Sequence, residues 1–356
     1  MDRGRYCSVG RYLREPSGGS PARFRDVRAR GGHAVRVLTG DPGDWEIATE
    51  RSVVAIGVFD GVHRGHQAVL DELVSLGERT NGPGTVRGVL TFDPHPLAVI
   101  APDRAPRLLG TIHQRLSELE AHGVDVVGVL PFTRIRSMEP DEFIKAVLVD
   151  ALAARAVAVG ADFRFGMNRA GDVATLVAAG ERWGFLVDAV PLLSEHDSQL
   201  SSTRIRVLIS EGKVEEAAEL LGRPYAIEGP VVRGDGRGTT IGIPTANVNY
   251  EPTIVLPETG VYAGYAILEQ ERVPAVTNVG VRPTFDGRSV TVEAHLIDWD
   301  GDLYGRVIEV ELAHRLRAEQ KFAGVENLVA QIRTDIAAAR DVLNADRQST
   351  KPNGLG

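Results

Sequence analysis

The sequence is short of several features that would commit it to a particular chemistry. It has one cysteine, Cys7, which excludes an internal disulfide and a multi-cysteine zinc site and fits a reducing compartment such as the cytoplasm. It has no long apolar run. The most apolar long region, residues 146–159, is interrupted by Asp150 and Arg155 and is too short to span a bilayer. That region is expected to be a core helix running into a buried strand, and no membrane partner is expected. The first 33 residues lack the apolar segment of a secretory signal. Positive charge is in deficit: 40 Lys and Arg against 48 Asp and Glu leave a net charge of -8. Such a chain has no overall footprint for non-specific nucleic-acid binding, and no nucleic-acid partner is expected.

What remains is of ordinary globular composition, 43% hydrophobic and 25% charged over 356 residues, enough for about two domains. Residues 1–33 stand apart. Arg3, Arg5, Arg11, Arg14, Arg23, Arg25, Arg28 and Arg30 repel one another, and the few apolar residues between them show no period. This stretch is expected to be a disordered extension, either solvated or a basic arm reaching RNA. Residues 346–356 are expected to be a flexible tail.

The first half is organised around residues 53–67. An apolar run, Val53 to Ile56, ends at Gly57; a turn through Phe59, Asp60 and Gly61 follows; then come His63, Gly65 and His66, and a helical apolar period begins at Ala68. Strand, glycine turn and helix start together make an anion site: backbone N–H groups approach the ligand, and the helix start adds unpaired donors and a positive dipole end. Two imidazoles over that point can stabilise charge on a phosphoryl group in transit.

Strands and helices alternate through the rest of this half. Strands are expected at 35–38, 86–92, 124–130, 156–159 and 186–190, and helices at 112–122, 138–148 with Pro140 in the first turn, and 174–183. The pattern argues for a parallel sheet with helices on both faces. In such sheets ligands gather at the carboxyl ends of the strands, which draws attention to three places. Asp93-Pro94-His95-Pro96 follows one strand, and His95 is either a ligand group or a turn residue held between prolines. Residues 160–172 follow another, and Phe163 and Phe165 either stack on a flat ring or plug the turn, with Arg169 nearby. Ser201-Ser202-Thr203 opens a helix, where hydroxyls cap and leave N–H groups for an anion, with Arg206 on the same side of the first turn.

After Leu221-Gly222-Arg223-Pro224 the pattern changes. Residues 225–232, 260–268, 273–279, 290–296 and 307–312 are short, alternating and β-branched, the signature of an antiparallel sheet or small barrel. A closing helix is expected at 325–343, with Val325, Leu328, Val329, Ile332 and Ile336 on its apolar face. Between the first two strands lies a loop with Gly234, Gly236, Gly238 and Gly242, followed by Pro244, Thr245 and Asn247. Its N–H groups can wrap phosphates, and its oxygens suit a hard cation such as Mg²⁺ bound jointly with a nucleotide. Alternation places Glu293 and His295 on one face of a strand, either toward solvent or toward this site.

The string Gly57-x-Phe-Asp-Gly-Val-His-x-Gly-His66 resembles the nucleotidyltransferase signature of the bacterial bifunctional riboflavin kinase/FAD synthetase family. The likeness runs from about residue 35 to about residue 343, and Gly242-x-Pro-Thr-Ala-Asn247 resembles the kinase module. It implies a Rossmann-like FMN adenylyltransferase domain over residues 34–220 and a β-barrel riboflavin kinase domain with its closing helix over 221–345. It implies riboflavin, FMN and ATP as substrates, and a monomer or transient homo-oligomer. In the first module it makes His63 and His66 catalytic. Gly57, Phe59, Asp60, Gly65, Ser202, Thr203 and Arg206 then hold ATP, with His95, Asp162, Phe163 and Arg169 near flavin and nucleotide. In the second it gives Gly234, Gly236, Gly238, Gly242 and Pro244 to ATP and Thr245 and Asn247 to Mg²⁺ with ATP. Glu293 becomes the general base, and Arg282 meets flavin or phosphate. Three rivals compete with this reading: an enzyme that keeps only one activity, with the other domain a structural relic; a flavin- or nucleotide-sensing regulator whose arginine-rich start binds RNA; and a nucleotidyltransferase for another phosphorylated alcohol, which leaves the barrel without a purpose.

Overall fold

Val53, Val54, Ala55 and Ile56 are all buried, which an alternating strand with one wet face does not allow. The sheet they belong to is covered on both sides: Val53 and Ala55 pack into one apolar cluster, Val54 and Ile56 into another. The computed structural model describes residues 25–28, 34–45, 51–81, 85–195, 198–234, 236–269, 271–284 and 287–349. Among these, contacts divide the chain into two units, one within Met1–Arg107 and Ile112–Ser201, the other formed by Leu108–Thr111 with Ser202–Gly356.

The first unit contains β1 (Arg25–Arg28), β2 (Ala34–Leu38), β3 (Ser52–Ile56), α1 (Arg64–Asn81), β4 (Val86–Asp93), α2 (Pro96–Ile100), α3 (Ile112–Ala121) and β5 (Val126–Pro131). There follow α4 (Phe132–Ile135), α5 (Pro140–Phe143) with a π-helical continuation Ile144–Ala151, β6 (Ala154–Gly160), α6 (Val173–Trp183), β7 (Leu186–Val190) and a small ribbon of β8 (Ser194–Glu195) with β9 (Ser198–Gln199). The large sheet has the order β1-β2-β5-β4-β3-β6-β7. All neighbours from β2 to β7 are parallel, as expected. From β3 the chain steps outward to β4 and β5, then returns to place β6 on the other flank of β3. This reversal makes the carboxyl end of β3 the topological switch point, where ligands bind in open sheets.

Two expectations need correction. Within the stretch expected to be disordered, Arg25–Arg28 pairs antiparallel with β2, because an open sheet edge offers its backbone groups to any extended neighbour; the rest of residues 1–33 lies outside the described residues. The helix expected over 138–148 starts at Pro140, but its second half is π-helical.

The second unit begins with α7 (Ser202–Ser210) and α8 (Val214–Leu221), which pack with the barrel's unit although the sequence reading gave residues up to 220 to the first domain. The barrel consists of β10 (Tyr225–Val232), β11 (Ala246–Val248), β12 (Gly260–Leu268), β13 (Glu271–Thr284), β14 (Gly287–Leu296) and β15 (Val307–Ala318), with α9 (Arg237–Thr240) between β10 and β11 and α10 (Val325–Ser349) at the end. It is closed in the order β10-β11-β14-β13-β12-β15, each neighbour antiparallel.

The closing helix covers the outer face of β12, where Val261, Ala263, Tyr265 and Ile267 meet Ala339 and Leu343. Leu328, Val329, Ile332 and Ile336 of its expected apolar face are half-buried, Ile336 against this cluster, while Val325 at the start of the helix is 61% exposed and Asp335, on the same face, is buried. Asp335 is buried because Arg317 on β15 grips it by two bonds, Nε to Oδ1 at 2.9 Å and Nη2 to Oδ2 at 2.7 Å. The expected tail is also shorter, since α10 runs on to Ser349.

Candidate active sites

The turn after β3 is held in a conformation that side chains resist. Phe59, Gly61 and Val62 have φ of 51°, 80° and 39°. Glycine takes such angles freely, but for a β-branched valine they are an outlier, and each such residue costs about 1–3 kcal/mol. The strain is offset by packing: Phe59 and Val62 are buried in the cluster beneath the sheet. Thr91 Oγ1 on β4 donates to Val58 O at 2.9 Å, and Gly57 N–H to Leu90 O at 3.1 Å, so the turn is fastened to the neighbouring strand.

Helix α1 starts at once: His63 directly precedes it and His66 lies in its first turn. His63 is buried, and its ring stacks on that of His66 with centroids 3.7 Å apart and planes 14° from parallel. The His66 backbone N–H donates to His63 Nδ1 at 3.3 Å, which leaves the His63 proton on Nε2. Phe59 also meets His66, with centroids 5.2 Å apart and planes tilted by 54°. A Cβ on Gly65 would stand 3.2 Å from His63 Cε1 and Nδ1, so the stacked ring would have to give by a few tenths of an ångström. His66 Nδ1 is sealed from solvent with no hydrogen-bond partner. Its pKa lies well below the ordinary imidazole value, first because burial disfavours the cation, then because His63 and Arg115 repel it. The arrangement is a stacked imidazole pair, with His66 neutral, at the carboxyl end of the central strand.

The other expected residues of this unit are placed less uniformly. His95 caps α2, its Nδ1 accepting from Leu97 N–H at 3.1 Å, which is the turn role. Phe163 stacks on Phe165, with centroids 5.5 Å apart, and both pack against the core around Phe143; this is the plug. Asp162 and Arg169 are exposed on the same loop, and Arg169 has φ of 60°. Ser202 opens α7, with Thr203 and Arg206 in its first turns, and these three belong to the second unit.

In the barrel, register builds the second site. Asn247 on β11 is opposite Glu293 on β14, which is opposite Asn278 on β13. Directly opposed residues share a face. Ala246, Ala294 and Thr277 alternate with them and are buried, so the three polar residues form a row on the outer side of the wall. Arg282 Nη2 donates to Glu293 Oε1 at 2.9 Å. His295 Nδ1 is 2.8 Å from Pro244 O, which ties β14 to the glycine loop.

The loop is tighter than a flexible flap: it holds one helical turn, α9. Two of its glycines are demanded by close approach, since a Cβ on Gly234 would fall 2.5 Å from Asn247 Nδ2, and one on Gly238 2.4 Å from Ile243 O. Gly236 and Gly242 have φ of 70° and 77°. Beside Pro244 and Thr245 opens a pocket of about 300 Å³ that also touches Trp299, Asp302, Leu303 and Tyr304. Arg233 lies over the Tyr304 ring at 5.1 Å.

The sequence reading missed the 299–304 segment, whose only local signal was an aromatic-acidic cluster between two strands. It also missed Arg115. Among the described residues, no group of three acidic, histidine or cysteine side chains is placed to hold a metal alone. The oxygens of Thr245 and Asn247 are neutral hard donors, which fit Mg²⁺ when a nucleotide supplies the charge.

A parallel sheet with a histidine turn at its switch point, followed by a closed barrel with a glycine-rich loop, defines a two-module transferase that handles nucleotide phosphates. Two family models match, "FAD synthetase" over residues 46–204 and "Riboflavin kinase" over 221–343. The bifunctional riboflavin kinase/FMN adenylyltransferase of Escherichia coli K12 is 42% identical over 294 residues, covering 82% of this chain and 93% of that protein. The protein of that name from Bacillus subtilis is 37% identical over 292 residues, covering 80% and 90%. A solved structure titled as a macrolide-efflux protein from Streptococcus pneumoniae matches with a TM-score of 0.76 at 30% identity, covering 85% of this chain and 98% of that one. In the present chain, no helix among the described residues is long and apolar enough to cross a membrane. The chain belongs to the bifunctional riboflavin kinase/FMN adenylyltransferase family. It phosphorylates riboflavin to FMN with ATP and adenylylates FMN with a second ATP, giving FAD and pyrophosphate.

Proposed function

We propose that the two reactions are divided between the two sites as follows. Adenylyl transfer takes place at the turn after β3. The observation that supports this most is the stacked pair His63 and His66, held in a strained turn at the switch point of the sheet. FMN brings its own nucleophile, a phosphate oxygen, which attacks the α-phosphorus of ATP as the bond to pyrophosphate breaks. No side chain has to be acylated or phosphorylated, so the protein has only to align the reactants and stabilise charge. His63, with its proton on Nε2, donates to a phosphate oxygen, and neutral His66 does so beside it. Backbone N–H groups of the turn through Gly57, Phe59, Asp60 and Gly65 complete the ATP site within this unit; the family resemblance gives Ser202, Thr203 and Arg206 to ATP as well. His95, Asp162, Phe163 and Arg169 border the flavin end.

Riboflavin phosphorylation takes place on the outer wall of the barrel. Glu293 takes the proton of the riboflavin 5′-hydroxyl as that oxygen attacks the γ-phosphorus of ATP, and ADP leaves. Arg282 orients the Glu293 carboxylate and meets flavin or phosphate. Gly234, Gly236, Gly238, Gly242 and Pro244 wrap the nucleotide, whose base occupies the pocket beside Tyr304. Thr245 and Asn247 would hold Mg²⁺ jointly with ATP; when bound, the ion neutralises charge on the transferring phosphates. The adenylyltransferase is assigned to residues 34–220 and the kinase to 221–345. One cysteine and a net charge of -8 fit a cytoplasmic monomer or transient homo-oligomer without a nucleic-acid partner.

The test is a time course of purified chain with riboflavin, ATP and Mg²⁺, followed by chromatography. FMN rising first and FAD after it is expected. Folded protein that yields no flavin product would overturn the assignment.

A further inference from the structure

Arg115 is 6% exposed, on the face of α3 that packs against the sheet. A buried guanidinium is rare unless its donors are used. Here Nη1 donates to Thr91 Oγ1 at 3.2 Å and to Phe92 O at 3.4 Å, at the carboxyl end of β4. Its Nε is sealed from solvent without a partner. Thr91 in turn donates to Val58 O, inside the strained turn. A chain of contacts therefore runs from Arg115 through Thr91 to the backbone that carries the histidines.

We propose that Arg115 is a positioning residue for adenylyl transfer, whose buried guanidinium locks the end of β4 to the histidine turn and faces the charged groups that meet there. Those groups come from three elements: Asp60 in the turn with His63 at its end, Asp93 at the end of β4, and His66 in the first turn of α1, stacked on His63. Burial lowers the Arg115 pKa, and Asp60 and Asp93 oppose that fall, so the two acids keep the cation under the turn. The cation in turn disfavours a proton on His66, which keeps that ring a neutral hydrogen-bonding group beside the transferring phosphate. An arginine serves where a lysine would not fully do, because its longer, planar head stays charged when buried and brings Nη1 to both Thr91 Oγ1 and Phe92 O.

The inference rests on the histidine turn being the adenylyl-transfer site, and the experiment separates the two. Full-length Arg115→Met, Arg115→Lys and His66→Ala are assayed for FAD formation from FMN across pH, with near-UV circular dichroism and thermal unfolding of the same samples as the measure of intact fold. Arg115→Met is expected to lower kcat for FAD formation about 100-fold and to move the acidic limb of its pH profile to higher pH, because His66 loses a repelling charge. Arg115→Lys is expected to restore the limb while recovering kcat only in part. FAD formation by Arg115→Met within threefold of the native chain, or an unmoved acidic limb, overturns the proposal. If Arg115→Met fails to fold, Arg115→Lys carries the test alone: a lowered kcat with the native pH limb supports it, and native kcat overturns it. Native FAD formation by His66→Ala would instead remove the reading of the site on which the proposal depends.

Discussion

The two active regions handle the same class of ligand, a nucleotide triphosphate, by opposite means. In the first unit the groups are buried and fixed: strained residues at Phe59 and Val62, a stacked histidine pair, and a buried arginine beneath them. In the barrel they stand half-exposed on the outer wall, in the row Asn247, Glu293 and Asn278, next to a glycine loop. The difference follows from chemistry. Adenylyl transfer uses a nucleophile that is already anionic, so a rigid environment for developing charge is most of what the protein supplies. The kinase must deprotonate a neutral hydroxyl and therefore places a carboxylate where substrate and nucleotide can both reach it.

The largest expected effect that sharpens this contrast is on the base. Glu293→Gln keeps the shape but cannot take a proton, and riboflavin phosphorylation should fall by about 10²–10⁴-fold, while FAD formation from supplied FMN is unchanged. Steady-state assays of both steps on one preparation check it; an unaltered kinase rate would remove Glu293 from the mechanism. Next is the ion pair that seats the closing helix. Asp335→Ala removes the buried partner of the half-buried Arg317 and should cost about 1.5–3 kcal/mol, seen by denaturant unfolding as early loss of the barrel signal. An unchanged unfolding midpoint would mean that the pair does not hold α10.

Smaller effects separate a rigid site from one shaped by its loop. A Cβ at Gly65 meets the His63 ring at 3.2 Å, whereas one at Gly234 meets the Asn247 amide at 2.5 Å. Gly65→Ala should lower kcat for FAD formation roughly tenfold by shifting the stacked ring, and Gly234→Ala should chiefly raise the kinase KM for ATP. The reverse pattern would undo the comparison. The smallest effect is the pH response. The His66 pKa is depressed in the folded chain, so FAD formation should hold as pH falls through about 6.5, the ordinary imidazole value, and fail only below it. The unfolded chain takes up that proton first, so the first unit should lose stability as pH falls below about 6.5. A rate that titrates at the ordinary imidazole value would show His66 exposed to water.

Much of this was legible in sequence for a physical reason. A strand buried on both faces has to be an unbroken apolar run, as Val53 to Ile56 is, and a glycine under a stacked ring leaves a mark as plain as His-x-Gly-His. The barrel strands were legible through alternation, although β13 and β15 extend beyond their apolar segments to Thr284 and Ala318. What was not legible depends on partners distant in the chain. Arg115 sits in an amphipathic helix where an arginine ordinarily faces water, and only Thr91 and Phe92, more than twenty residues earlier, show otherwise. Asp335 is buried only because Arg317 is opposite. His95 and Phe163 each had two readings; the geometry shows a cap for the one and core packing for the other, and their place beside the flavin stays a proposal.

The division of labour between the two sites is tested most directly by product analysis of His66→Ala supplied with riboflavin, ATP and Mg²⁺. The account predicts that FMN accumulates at the native rate and that FAD stays near background. FAD appearing at the native rate, or the loss of both products from folded protein, would contradict it.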